Sequence, residues 1–242
     1  MITLYAGGAR FGLPEVSPFV TKTEVQLQML GLDYHKEEAR PDSSPKGQLP
    51  WIDDDGMRIG DSHFIRLHLA AKYGGDLDAG LTERQRAAAW TAERMVEDGL
   101  RGPATYFRWL VPENFVKGPA HFFDDAPEAV RAQITAEVLG RVIANLKAQG
   151  VARHSEAEIV GMGVRSLAAL SVLMGDSAYL MGKTMCGADA SVFGFLAMIL
   201  TPFFDSELRT RALEFTNLTA YVDRMMGQFY PDFAWQALPK AA

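Results

Sequence analysis

The stretch GQLPWIDDDGMRIGDSHFIRLHL, residues 47–69, admits few backbone paths. Pro50 cannot donate to a ladder and belongs where a chain enters a strand, so residues 51–53 read as a short extended run. Asp53-Asp54-Asp55-Gly56 is turn chemistry, with Gly56 free to take positive φ, and residues 57–60 pair back. Asp61 or Ser62 then caps a helix whose apolar positions are Phe64, Ile65, Leu67 and Leu69. Two features raise this above an ordinary hairpin. Leu49-Pro50 is a place where a cis X-Pro bond would turn the preceding N–H and C=O outward. Asp61-Ser62 gathers a carboxylate, a hydroxyl and free helical amides at one helix start. That set suits the ammonium and the carboxylate of an amino-acid ligand. Each feature also has a plainer reading, Pro50 as the start of an edge strand and Asp61-Ser62 as a cap.

Upstream, residues 2–5 are a strand stopped by Gly7-Gly8, and a loop runs over residues 7–16. Ser17-Pro18 opens a helix, with Ser17 as N-cap and Pro18 at the first helical position. Phe19, Val20, Val25, Leu27 and Leu30 give that helix its inner side. Residues 34–39 form a second strand and residues 41–46 a polar connector. The order strand, helix, strand, connector, strand, strand, helix predicts a sheet parallel in its first half and antiparallel in its second. Residues 75–82 form a linker, and no convincing strand follows. Thr82-Glu83 caps a long helical run, with a break expected near Gly102-Pro103. Residues 127–149 and 156–174 are amphipathic helices. Residues 187–200 are apolar almost all round and so form a buried central helix.

Composition closes off several classes. At 242 residues with 48% hydrophobic and 22% charged content, the chain has ample core for one or two domains. The formal net charge of −6 comes without a basic block, so no nucleic-acid surface is expected. The single cysteine, Cys186, excludes an internal disulfide and a cysteine-based metal site. The five histidines show no paired-ligand spacing, and no metal is expected. The N-terminus lacks a signal-peptide pattern, and residues 192–204, the most apolar run, are too short to span a bilayer. The expectation is a cytoplasmic protein with no membrane association.

The 47–69 stretch resembles the glutathione-site half of the thioredoxin-like domain in glutathione transferases. AYLMG…GADASVFGFLAMIL, residues 178–200, is similar to the capped core helix of the same superfamily, with Asp189 as its structural aspartate. Cys186 stands where that family has a Ser or Thr cap. Either Thr184 caps one register earlier or Asp189 bonds backbone amides alone. The resemblance implies an α/β thioredoxin-like N-terminal domain over residues 1–74, a linker over 75–82 and an all-α domain over 83–242. The SPF entry at 17–19, GLDYH at 31–35, GADASVFGFLA at 187–197 and AYVDRMMGQFYPDF at 220–233 resemble the failed-axon-connections and metaxin-like branch in its bacterial form, not all of whose members need be enzymes.

What the resemblance implies about chemistry is specific. Glutathione is the expected co-substrate. Leu49, preceding Pro50, pairs its backbone with the cysteinyl unit, and Asp61 and Ser62 take the γ-glutamyl end. Lys46 and Gln48 are placed for the glycine carboxylate. Ser17 is the expected catalytic residue: a hydroxyl at an N-cap donates to a thiolate, and the helix end favours the anion. Lowering a thiol pKa from roughly 8.5 by one unit takes about 1.4 kcal/mol, within reach of one such bond. Tyr5 is the competing thiolate donor, and Ser17 has the plainer reading of a cap. Phe11, Tyr106 and Trp109 are candidates for the second-substrate pocket, with Arg101 for an acidic substrate. The resemblance further implies a homodimer. The alternative is a non-catalytic binding or scaffold protein on the same fold.

Overall fold

The computed structural model describes residues 1–236 and Leu238. Its first part is a four-stranded sheet of β1 (Ile2–Ala6), β2 (Tyr34–Glu38), β3 (Trp51–Asp54) and β4 (Met57–Gly60), in the order β2-β1-β3-β4. β1 and β2 are parallel, and the other two pairings are antiparallel. Alternation along β1 sends Ile2, Leu4 and Ala6 to one face. There they meet Ile52 of β3, Val20 and Leu27 of α1 (Pro18–Met29), and Ile65 and Leu69 of α2 (Ser62–Tyr73). Tyr5 points the other way and lies flat on its cross-strand partner Trp51, ring centroids 3.7 Å apart.

The second part is helical: α3 (Glu83–Arg94), α4 (Arg101–Trp109), α5 (Pro112–Lys117), α6 (Glu128–Ala148), α7 (Glu156–Met174), α8 (Gly187–Leu200), α9 (Glu207–Ala212) and α10 (Thr216–Phe229). Thr82 caps α3 through a reciprocal capping box with Gln85. The long helical run is not broken at Gly102-Pro103. Pro103 sits inside a run that stays helical from Met95 onward, and the irregularity lies just before it, as a π-helical turn at Met95–Leu100. Every residue of α8 is buried. Asp189 bonds backbone amides, accepting from Cys186 N at 2.8 Å and Leu180 N at 2.9 Å, and the hydroxyl of Tyr221 also donates to it. α7 is long and apolar enough to cross a membrane by length and composition, with a mean hydropathy of 1.5. In this structure its Ile159, Leu167 and Leu170 lie in the helical core.

α1 is the hinge of the architecture, because it lies between the sheet and α8. Its apolar spacing predicts a single inner side, yet residues 20–27 are all buried, including Thr21, Lys22, Thr23, Glu24 and Gln26. Each of these side chains makes at least one hydrogen bond, and only Gln26 Oε1 among their polar atoms is buried without a partner. Thr21 and Thr23 bond carbonyls one turn back, and Gln26 donates to the Gly187 carbonyl at 3.1 Å. Lys22, fully buried, donates to Glu93 at 2.8 Å and to Glu97 at 2.7 Å. Arg66 of α2 joins Glu93 to Asp78, and Asp78 in turn accepts from the Gly187 amide. Gly194 has the close approach that requires glycine: a β-carbon there would lie 2.7 Å from the Pro18 carbonyl oxygen.

Replacing Lys22 by Met strands two buried carboxylates without their shared cation. The expected cost is about 3–5 kcal/mol, read as a fall in the urea midpoint. An unchanged midpoint would show that the neighbouring arginines carry the charge balance without it.

Candidate functional site

Where the two parts meet there is a cleft of about 340 Å³. One wall is Gln48, Leu49, Pro50, Asp61 and Ser62, with Phe19 of α1; the other brings Trp90, Arg94, Glu97, Asp98 and Arg101 from α3, the π-turn and α4. The hairpin builds the first wall. The Leu49–Pro50 peptide is cis, and the Pro50 carbonyl accepts from the Asp61 amide at 3.2 Å, tying the strand entry to the start of α2. Asp61 is held at φ +82°, an uncommon region for a non-glycine residue and one that marks constrained sites.

The polar groups of this wall are largely uncommitted. Asp61 Oδ1 accepts from the His63 amide at 2.9 Å, while Oδ2 has only a long contact of 3.4 Å from Gln48. Among the described residues the backbone N–H and C=O of Leu49 and the hydroxyl of Ser62 find no hydrogen-bond partner. The wall therefore offers an acceptor for an ammonium, donors for a carboxylate, and one peptide unit for strand-like pairing. Lys46 is not part of the lining. Its Nζ lies 3.7 Å above the ring of Phe64.

Ser17 precedes α1, two residues before the cleft-lining Phe19, and is itself not in the lining. Its hydroxyl makes no capping bond, whereas the hydroxyls of Thr82, Ser155 and Ser206 each accept an amide of the helix they cap. Its backbone is fixed instead by Glu15. That buried carboxylate accepts from the amides of Gly7, Gly8 and Ser17 at 3.0–3.2 Å, and Lys36 stands 3.6 Å away. Lys36 is shared with a second buried carboxylate, Glu24, at 2.8 Å, which also accepts from Tyr34 and Tyr230. From the other side Arg108, 7% exposed, donates to the Val16 carbonyl and sits over the rings of Phe11 and Phe204. Burial without a carboxylate partner brings its guanidinium down to about 10.

The expected second-substrate residues fall elsewhere. Phe11 packs against Phe122, Phe203 and Phe204, and Trp109 stacks on Phe122, so these two join one aromatic cluster under the 7–16 loop. Tyr106 packs on Phe107, and none of the three lines the cleft. Tyr5 is occupied by its stack on Trp51. Sequence reasoning missed Phe19, Trp90, Arg94, Glu97 and Asp98 as lining residues. The spacing of Trp90, Arg94, Glu97, Asp98 and Arg101 at three, four and seven is the signal that places them along one helical face. His63 also lines the cleft. Cys186 is buried, and burial beside Asp189 pushes its thiol up to about 12. Among the described residues no group of three or more His, Cys, Asp or Glu is gathered to hold a metal ion.

Burial raises the Glu15 carboxyl from 4.5 to about 7, against the opposing pull of Lys36 and the amides. Between these values the native chain holds a proton that the unfolded chain has lost. Glu15 therefore makes stability fall as pH rises from about 4.5 to 7. Glu15→Gln should flatten the decline in melting temperature across that window. A profile identical to wild type would assign the decline to other groups.

Comparison with known proteins is consistent on both halves. The glutathione S-transferase N-terminal domain family model matches residues 18–114, and the glutathione S-transferase C-terminal domain model matches residues 163–225. Failed axon connections from Drosophila melanogaster is 32% identical, over 91% of this chain and 56% of that protein. Isoprene-epoxide–glutathione S-transferase from Rhodococcus sp. (strain AD45) is 31% identical, over 82% of this chain and 87% of that protein. Human metaxin-1 is 25% identical, over 94% of this chain and 51% of its own length. The chain thus spans about half the length of the Drosophila and human relatives and most of the Rhodococcus one. Among solved structures, glutathione transferase F7 from Populus trichocarpa superposes with a TM-score of 0.61 at 13% identity, covering 97% of this chain and 98% of that one. A Pseudomonas fluorescens glutathione transferase family member solved with two glutathione bound superposes at 0.60 and 16%, covering 93% and 88%. These two show the shared fold.

Proposed function

We propose that this chain, which belongs to the glutathione S-transferase family, binds glutathione in the interdomain cleft and promotes attack of its thiolate on a small, largely apolar electrophile. The observation that carries the proposal is the set of uncommitted groups on one wall: the Leu49 peptide, the Asp61 Oδ2 and the Ser62 hydroxyl. In this reading Asp61 takes the γ-glutamyl ammonium, and Ser62 with the α2 amides takes its carboxylate. Leu49 pairs with the cysteinyl backbone and Gln48 faces the glycyl end, while Lys46, outside the lining with its ammonium over Phe64, lends that end its charge. Ser17, whose hydroxyl is free of capping duty, donates to the sulfur. The thiol proton leaves to solvent, the sulfur lone pair forms the new C–S bond, and the electrophile loses its leaving group or opens its strained ring. A second reading, binding without catalysis, is favoured by Ser17 standing outside the cleft lining.

Calorimetric titration of reduced glutathione is the test. Saturable binding is expected, weakened roughly tenfold or more in Asp61→Ala, since a charge-assisted bond is lost. Ser17→Ala should leave affinity within about threefold and lower turnover by about ten- to a hundredfold. Absence of binding at tens of millimolar sinks the proposal. Binding with no thiolate absorbance selects the non-catalytic reading.

The proposal includes a homodimer and a cytoplasmic setting, the latter supported by the one, buried, unpaired cysteine. Phe64 and Leu67 of α2 are 51% and 52% exposed beside the cleft and give a second copy its apolar footing. Sedimentation should find a dimer in the wild type and a monomer in Leu67→Glu; a monomeric wild type removes that part.

A further inference from the structure

Arg101 is the one cleft-lining arginine with no acidic partner among the described residues. The other, Arg94, is clamped by Glu97 and Asp98, three and four residues further along the same face, and lies over Trp90. Beyond the cleft, Arg66 is held by Asp78 and Glu93. Arg101, half-buried at the start of α4, makes no hydrogen bond or ion pair with the described residues, and its guanidinium lies 5.8 Å from the ring of Phe19. An arginine held over an apolar ring, with its donors unspent, is a carboxylate receptor set beside a hydrophobic floor.

Its place decides which carboxylate. The glycyl end of glutathione is assigned above to Gln48 and Lys46, and the γ-glutamyl end to Asp61 and Ser62. Phe19 follows Ser17 by two residues, so the cation stands at the sulfur end of the cleft, on the opposite wall. An electrophile has to reach that sulfur, and its apolar body would lie on Phe19 and Leu49. We propose that the second substrate is an electrophile carrying a carboxylate, and that Arg101 is the residue that selects it. The inference rests on the glutathione-binding reading and narrows its substrate class. The chemical step is unchanged: the C–S bond forms, the leaving group departs with its electron pair, and the carboxylate takes no part beyond the ion pair.

Binding of S-substituted glutathiones separates the possibilities without requiring turnover. Reduced glutathione, S-benzylglutathione and S-(4-carboxybenzyl)glutathione are titrated into wild type, Arg101→Met and Arg101→Lys. Wild type should bind the carboxybenzyl conjugate about five- to tenfold more tightly than the benzyl one, the worth of one charge-assisted contact at a part-exposed site. Arg101→Met should erase that ratio while leaving reduced glutathione within about twofold, and Arg101→Lys should keep part of it. Equal binding of the two conjugates by wild type overturns the inference while leaving the glutathione site standing. So does Arg101→Met weakening all three ligands alike, which would assign the cation to glutathione's own carboxylate. Failure of all three ligands to bind wild type overturns this inference and the proposed function together.

Discussion

The ion cluster around Lys22 is what lets two differently built halves share one interface. A helix packed on both sides has no solvated face on which to leave a charge, and α1 carries a lysine into that position. Its ammonium is tolerable because α3 and the π-turn deliver two carboxylates to it, and Ser191 of α8 also bonds one of them. Burial pulls the Lys22 ammonium below its ordinary value while Glu93 opposes that pull. Such clusters specify geometry more than they add net stability, since exchanging a paired buried set for apolar groups is often neutral. Here the specified geometry is the distance between the hairpin wall and the α3–α4 wall. Glu97 belongs to both the cluster and the cleft lining, so the cleft is built directly onto its foundation.

The start of α1 is held from three directions. Glu15 gathers the amides at the end of β1 and at Ser17, Gly194 lets the backbone of Pro18 approach α8, and Arg108 fastens the Val16 carbonyl to α4. A hydroxyl at that point inherits a fixed position without spending its own hydrogen bond on the helix. This is the usual requirement of a pre-organised donor, whose supporting shell does the orienting.

Much of this was legible in the chain. Turn chemistry at Asp53–Gly56, the proline entering β3 and the Asp61-Ser62 pair lie within one short window and encode the hairpin wall locally. The apolar run of α8 announced its burial, and Asp189 could be read as structural although its partners Leu180 and Tyr221 could not. The interruption expected at Gly102-Pro103 takes the form of a π-turn ending two residues before the glycine, with the chain helical on both sides of it. The polar side of α1 was unreadable for a different reason. Lys22 finds its partners 71 and 75 residues away, and no periodicity within the helix reports that. The aromatic residues at Phe11 and Trp109 were the right type for a pocket, but both rings pack on Phe122 under the loop. Charged residues on one face of α3 and α4 line the cleft in their place.

Cys186 has a bearing on how such a protein can coexist with its surroundings. Its sulfur lies inside the cap of α8, where burial keeps it protonated. In the proposed setting of reactive thiols and electrophiles, the one thiol of the chain is withheld from alkylation and from capture as a mixed disulfide. Inactivation by spent reagent, a common fate of proteins that process such compounds, has no foothold at that atom. The same seclusion makes the chain a clean background for chemistry imposed from outside: a cysteine introduced on its surface would be the sole thiol available to a label.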